Sequence, residues 1–227
     1  MDLSPLWLSI RVALLATLIT FCLGLLAARL VAGMQRGRGF LDGLFTLPLV
    51  LPPTVVGFFL LVIFGRNGPI GMILNQIGAP VIFTWGGAVV ASVVVAFPLM
   101  YRTARGAFEQ MDANLLAVGR TLGMSEWELF FRVTIPNSVP SIMAGMVLAF
   151  ARALGEFGAT IMVAGNMPGK TQTVSVAIYS AVQGGDWDLA TNWMLIIIGI
   201  SFVTIVLMNW WTRKAARFTG EVQRDWR

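Results

Sequence analysis

The chain has 227 residues, of which 57% are hydrophobic and only 12% charged, with a mean hydropathy of +0.78. Soluble domains carry about 25% charged residues, so the composition excludes an ordinary water-soluble fold and indicates one polytopic, all-α membrane domain. The net charge of +5 comes from basic residues that flank apolar runs instead of lining a groove, which argues against nucleic acid as a partner.

Histidine is absent and there is one cysteine, Cys22, inside an apolar run. It cannot form an intrachain disulfide and implies no metal site; it reads as a packing residue. The N-terminal segment MDLSPLWLSIR lacks a basic n-region, and the run after it is too long for a signal core, so it reads as an uncleaved first span.

Span one is expected over about 12–32, long enough to cross a bilayer. Arg29 lies near its end, where it can snorkel, and Gly24 and Ala28 form a small-xxx-small pair. A short polar turn, 35–42, carries Arg36 and Arg38. Span two, about 44–64, contains Pro48, Pro52 and Pro53. Prolines free backbone carbonyls, and in lipid those groups need protein or water. Either this is a packed kink, or Pro52, Pro53 and Thr54 belong to a segment that bends and lines a pathway. The Gly/Pro-rich loop 66–84 has room for a short interfacial helix at 70–77.

Span three covers about 85–104, with Pro98 inside it and Tyr101, Arg102 and Arg105 marking the aqueous boundary. The polar stretch 108–140 follows, and it is too polar to cross a membrane. Asp112 caps a helix that runs to Leu122 and stops at Gly123, a residue suited to a left-handed position. A second helix opens with a capping box, Ser125 at N-cap and Glu128 at N3, with Met124 and Leu129 at the staple positions. Pro136 and Pro140 are expected to stop it. Trp127, Phe130 and Phe131 crowd onto about two turns of that helix, so it needs cover. The cover is either the membrane surface or another protein.

Span four, about 141–164, holds Arg152 and Glu156 in its middle. Four residues apart, they share a helix face and can pair. Charges at that depth face a bundle interior or cavity, so the pair either fixes packing or belongs to a substrate path or gate. Ala151, Gly155 and Ala159 read as a small-residue ridge. A second loop covers 166–193, and span five, about 194–211, is bracketed by Trp193, Trp210 and Trp211 as interfacial anchors.

Five spans place Arg36, Arg38, Arg102, Arg105, Arg120, Arg132, Arg213, Lys214, Arg217, Arg224 and Arg227 on one side, and Arg11, Arg66 and Lys170 on the other. The positive-inside rule then puts the N-terminus outside and the 108–140 loop and C-terminus in the cytoplasm. The stretch AGNMPGKT, 164–171, matches a loose phosphate-loop pattern. It follows a membrane helix on the outer side instead of a buried strand, so it reads as a Gly/Pro turn. Asp186 and Asp188 read as a solvated turn. No catalytic constellation is present, so active transport by this chain would draw its energy from a partner or an ion gradient.

The 108–140 stretch resembles the cytoplasmic EAA loop of ABC importer permeases. Gly123 takes the place of that loop's glycine, and Val133, Thr134, Ile135 and Pro136 match its hydrophobic-x-hydrophobic-Pro ending. The Glu-Ala-Ala positions read Ala117, Val118 and Gly119, so the usual glutamate is missing. The resemblance implies docking into an ATPase subunit through this loop, with Ser125, Glu126, Trp127, Glu128, Phe130 and Phe131 on the docking helix.

Two further segments, TLPLVLPPTVVGFFLLVIFGRNGPIG (46–71) and RALGEFGATIMVAGNMPGKTQT (152–173), resemble the molybdate permease subunits of molybdate/tungstate ABC importers. That resemblance covers nearly the whole chain and implies a type I importer permease in the cytoplasmic (inner) membrane. It also implies a homodimer with the pathway between copies, two cytoplasmic ATPase subunits that carry the ATP and Mg, and an external oxyanion-binding protein. The permease itself would bind no cofactor and catalyse no reaction. Permeases for sulfate/thiosulfate or another oxyanion remain alternatives, as does a carrier or channel working alone.

Overall fold

A computed structural model describes residues 2–34 and 36–224. It is all helical among the described residues: α1 (Ser4–Ala32), α2 (Arg38–Val50), α3 (Pro53–Phe64), α4 (Pro69–Gln76), α5 (Trp85–Glu109), α6 (Ala113–Thr121), α7 (Glu126–Leu129), a π-turn (Phe130–Thr134), α8 (Ile135–Leu154), α9 (Gly158–Ala164), α10 (Val174–Gln183) and α11 (Trp187–Arg224). Among the described residues four helical stretches are long and apolar enough to cross a membrane, or five if α2 and α3 together make one span.

The core forms around α5, which packs against α1 and α8. Val12, Ala16, Ala28 and Val31 of α1 meet Ala88, Ala96, Met100 and Tyr101 of α5 and Ile142, Ala149 and Leu154 of α8. Close approach depends on small residues: a Cβ at Gly24 would lie 2.7 Å from Met100 Cγ, and one at Gly145 3.1 Å from Met100 Sδ. Without a hydrophobic driving force between helices in lipid, such contacts are a main source of cohesion. A second cluster joins Val56 and Leu60 of α3 to Val95 of α5 and Val163 of α9. Polar contacts tie α2 to α5. Arg105 pairs with Asp42 and, at 2.6 Å, with Glu109; Arg38 pairs with Glu109; and the Tyr101 hydroxyl donates to Asp42 Oδ1 at 3.2 Å.

Several boundaries differ from the sequence reading. Span one starts at Ser4 instead of near residue 12, because Pro5 fits the first turn of a helix. Span two is no single kinked helix: α2 and α3 meet at 112°. Leu51 and Pro52 are extended there, with ψ of 141° and 136°, as residues preceding a proline favour. Tyr101 is buried against the core, with its hydroxyl on Asp42 and Arg105. Cys22, expected to pack, is exposed.

Pro136 and Pro140 do not stop the helix before them, since the path from Glu126 to Leu154 is continuous. The Ile135 amide donates to the Phe130 carbonyl, five residues back. This wider turn precedes Pro136, which lies in the first turn of α8, where a missing N–H is tolerated. Span four breaks after Leu154, so Ala151, Gly155 and Ala159 form no continuous ridge: Ala151 and Gly155 are exposed and Ala159 is buried.

The 166–193 loop contains α10 and the start of α11, and Trp193 is a buried core residue with Val174 and Ala177. It is therefore no interfacial anchor. Trp210 is exposed. The side chains of Trp211, Arg213, Lys214, Arg217, Arg224 and Arg227 lie outside the described residues.

Candidate functional site: an exposed helical knob and a pair of broken helices

The loop between α5 and α8 folds by local rules. The Asp112 carboxylate accepts from the Asn114 amide at 2.8 Å and caps α6. Gly123 has φ of +79°, a left-handed conformation that costs a residue with a Cβ about 1–2 kcal/mol. The turn it makes allows α7 to fold back on α6. Glu128 Oε2 accepts from the Ser125 amide at 3.0 Å, and the Ser125 hydroxyl accepts from the Glu128 amide at 3.3 Å. The Ser125 amide foremost, and then the Ser125 hydroxyl, which donates to Glu128 Oε2 at 3.1 Å, hold the Glu128 carboxyl below the ordinary carboxylate range.

Gly119 is where α6 and α7 touch. A Cβ there would sit 2.3 Å from Leu129 Cδ2, and Leu129 is fully buried. Phe130 is also buried, edge-on to Phe108 at 5.5 Å. Trp127 and Phe131 point the other way. They are 64% and 62% exposed and stack on each other at 6.1 Å. Leu115 and Val118 of α6, and Leu122 just after it, are exposed as well, and so is Ala117. An apolar group of this kind, carried on a rigid and well-capped turn, suits a hydrophobic groove. Pro136 is exposed at the start of α8, away from the knob's contacts.

The sequence suggests only snorkelling for Arg29. Its guanidinium lies 5.2 Å from the Phe130 ring centre and 3.8 Å from Glu126. Glu126 takes its main hydrogen bonds from Arg120, at 2.7 and 3.3 Å, and these hold its carboxyl below the ordinary range. The end of α1 is thereby tied to the knob. Nothing local announces this contact, because its partners are almost 100 residues apart in sequence.

The candidate path residues come together at the two helix breaks. Gly158, opening α9, packs on the start of α3: its Cβ would lie 3.0 Å from Pro53 Cβ and 3.2 Å from the Thr54 amide nitrogen. One turn on, a Cβ at Gly57 would lie 2.8 Å from Ala159 Cα. Pro52, Pro53 and Thr54 are exposed beside this contact. Arg152 Nη1 donates to Glu156 Oε2 at 2.5 Å across the second break. The Glu156 side chain is 1% exposed and that of Arg152 30%. Glu156 Oε1 also accepts from the Ala159 amide at 2.8 Å, so the carboxylate spans the gap between α8 and α9. That linking role was not legible beforehand, although Gly155 and Gly158 flanking a buried acid were its signal.

The 164–171 turn is no phosphate cradle. The amides of Lys170, Thr171 and Gln172 all donate to the Met167 carbonyl, and the turn follows α9, a helix, instead of a strand.

The model of the family described as "Binding-protein-dependent transport system inner membrane component" matches residues 20–219. The chain belongs to that family. It is therefore an inner-membrane component, with no catalytic constellation among its described residues.

Family relatives match over nearly the whole chain. A putative molybdenum transport system permease protein, YvgM of Bacillus subtilis, is 47% identical over 211 residues, covering 91% of this chain and 92% of the relative. The molybdenum transport system permease protein ModB of Haemophilus influenzae is 42% identical over 224 residues, covering 97% and 98%. A sulfate transport system permease protein, CysW of Synechococcus elongatus, is 36% identical over 204 residues, covering 88% and 71%. Among solved structures, a bacterial ABC transporter involved in alginate import superposes with a TM-score of 0.75 at 17% identity, covering 93% of this chain and 79% of that one. This likeness shows the fold, that of a type I ABC importer permease.

Proposed function

We propose that this chain is the permease subunit of an ATP-driven importer that carries molybdate, and tungstate with it, across the cytoplasmic membrane. The observation that carries the substrate class is the 42–47% identity to molybdenum transport permeases over nearly the whole chain. The chain crosses the membrane five times, with α2 and α3 as one broken span, the N-terminus outside and the C-terminus in the cytoplasm. Two copies enclose the path, two ATPase subunits supply ATP and Mg, and an external binding protein delivers the oxyanion. The exposed group around Trp127 and Phe131 supports the ATPase contact, because such a surface needs a partner. In this reading Ala117, Gly119, Gly123, Ser125, Glu126, Trp127, Glu128, Phe130, Phe131 and Pro136 make up or position the coupling element. Pro52, Pro53, Thr54, Arg152 and Glu156 lie at the path or gate. Transport is then alternating access, a population shift driven by the partner's ATP.

The test is affinity purification of the tagged chain from native membranes, with partners identified by mass and with molybdate uptake measured after reconstitution. An ATPase should co-purify and be lost with Trp127→Glu or Gly123→Pro. Tungstate should compete for uptake more strongly than sulfate. A chain that came out alone and gave flux by itself in liposomes would replace this reading with a carrier or channel.

A further inference from the structure

The pairing of Arg152 and Glu156 is lopsided in a way that a packing salt bridge does not need. Glu156 is sealed in and held twice, by Arg152 Nη1 and by the Ala159 amide. Arg152 sits about midway along the apolar run 141–164, yet its side chain is 30% exposed. A guanidinium has five N–H donors. Among the described residues, only the bond to Glu156 engages this one. An exposed charge at that depth is costly against lipid and belongs at a cavity or watery path. Its neighbours Ala151 and Gly155 are small and exposed, and so is Thr54 at the neighbouring break.

We infer that the Arg152–Glu156 pair is a charge-compensated contact site for a tetrahedral oxyanion, with the free donors of Arg152 touching the anion and buried Glu156 limiting how tightly it is held. A guanidinium fork matches two oxygens of such an anion. A lone arginine in a low-dielectric path would trap a dianion, whereas a path must release what it binds. Glu156 cancels the guanidinium's charge, leaving directional hydrogen bonds as the attraction. Because the Ala159 amide and burial fix the carboxylate, it cannot swing away when the anion arrives. The inference rests on the reading of a path at these breaks.

The test measures radiolabelled molybdate bound to the complete transporter in nanodiscs without the binding protein, alongside uptake with it. Removing a unit charge near a dianion should tighten binding by at least about tenfold in Glu156→Gln and lower maximal uptake. Arg152→Gln should abolish binding, and so should Arg152→Gln/Glu156→Gln, in which the pair stays neutral. Should Glu156→Gln fail to assemble, Arg152→Lys decides: loss of the fork should weaken binding and slow uptake, and unchanged values would overturn the inference.

The path itself is read separately, by labelling Thr54→Cys and Ala151→Cys with a charged thiol reagent in a Cys22→Ala background. Labelling together with molybdate binding that ignores both charges would sink the inference and leave the path standing. No labelling at either position would sink both.

Discussion

Replacing Gly57 by alanine should separate the two broken helices. The new Cβ would lie 2.8 Å from Ala159 Cα and 2.9 Å from Met162 Cβ, where ordinary contact is 3.4–4 Å. One obstacle is backbone and the other a β-carbon, so no rotamer change relieves them. The helices must part by roughly 1 Å, and overpacking of this kind costs about 1–3 kcal/mol. Alanine's helix preference over glycine returns about 1 kcal/mol, leaving a net loss of about 0–2 kcal/mol. At this chain length 1 kcal/mol is about 2–4 °C in Tm.

Gly106→Ala provides the control, because nothing lies within 4 Å of its Cβ, and it should stabilise by the propensity term alone. Thermal unfolding of the purified permease reads both, and Gly57→Val should be worse than Gly57→Ala. Molybdate uptake should fall in the Gly57 variants by more than the stability loss explains, because Pro53 and Thr54 ride on the same contact. Equal Tm shifts in Gly57→Ala and Gly106→Ala would refute the packing argument.

Loss of the capping box should loosen the knob without unfolding the chain. Ser125→Ala should cost about 0.5–2 kcal/mol, read as lower protection of the 126–129 amides in hydrogen exchange. The folded chain holds the Glu128 carboxyl below its ordinary range, so the unfolded chain takes up the proton first as pH falls. The cap's contribution is therefore complete above the ordinary carboxylate range and is lost as pH drops through the lowered value. Protection factors corrected for intrinsic exchange should follow that course in the wild type, keep part of it in Ser125→Ala, which retains the backbone donor, and stay flat in Glu128→Gln, which has no carboxyl to titrate. Arg29→Met should remove a cation–π contact worth about 0.5–1 kcal/mol and uncouple α1 from the knob. Tm should barely change while transport per ATP hydrolysed falls, and unchanged coupling would show that Arg29 only snorkels.

What was legible in the sequence was local. Asp112, Gly123, Ser125 and Glu128 are cap and turn residues whose partners lie within a few positions, so their contacts follow from spacing. What was not legible depended on geometry between distant segments. Three prolines signalled disruption of span two but not a 112° bend, since the angle is set by what α3 packs against. Trp193 resembled a membrane-edge anchor because it borders an apolar run, but α11 begins earlier and buries it against α10. Pro136 is a helix breaker by rule, and the preceding π-turn places it where the rule does not bind. The contacts of Arg29 with the knob, of Asp42 with Arg105 and of Arg38 with Glu109 join residues far apart in sequence, which no local pattern records.

The π-turn at Phe130–Thr134 also sets an angle. A π-turn is an α-helix carrying one surplus residue, and each residue advances a helix by about 100°. The direction in which Trp127 and Phe131 face, relative to Arg152 near the far end of the same helical rod, is therefore fixed by that single extra residue. Deleting one position between 130 and 134 would swing the aromatic face about a quarter-turn around the axis and shorten the rod by about 1.5 Å. The caps of α6 and α7 would survive the deletion, but Phe130 would leave Phe108 and Arg29 and the knob would point the wrong way.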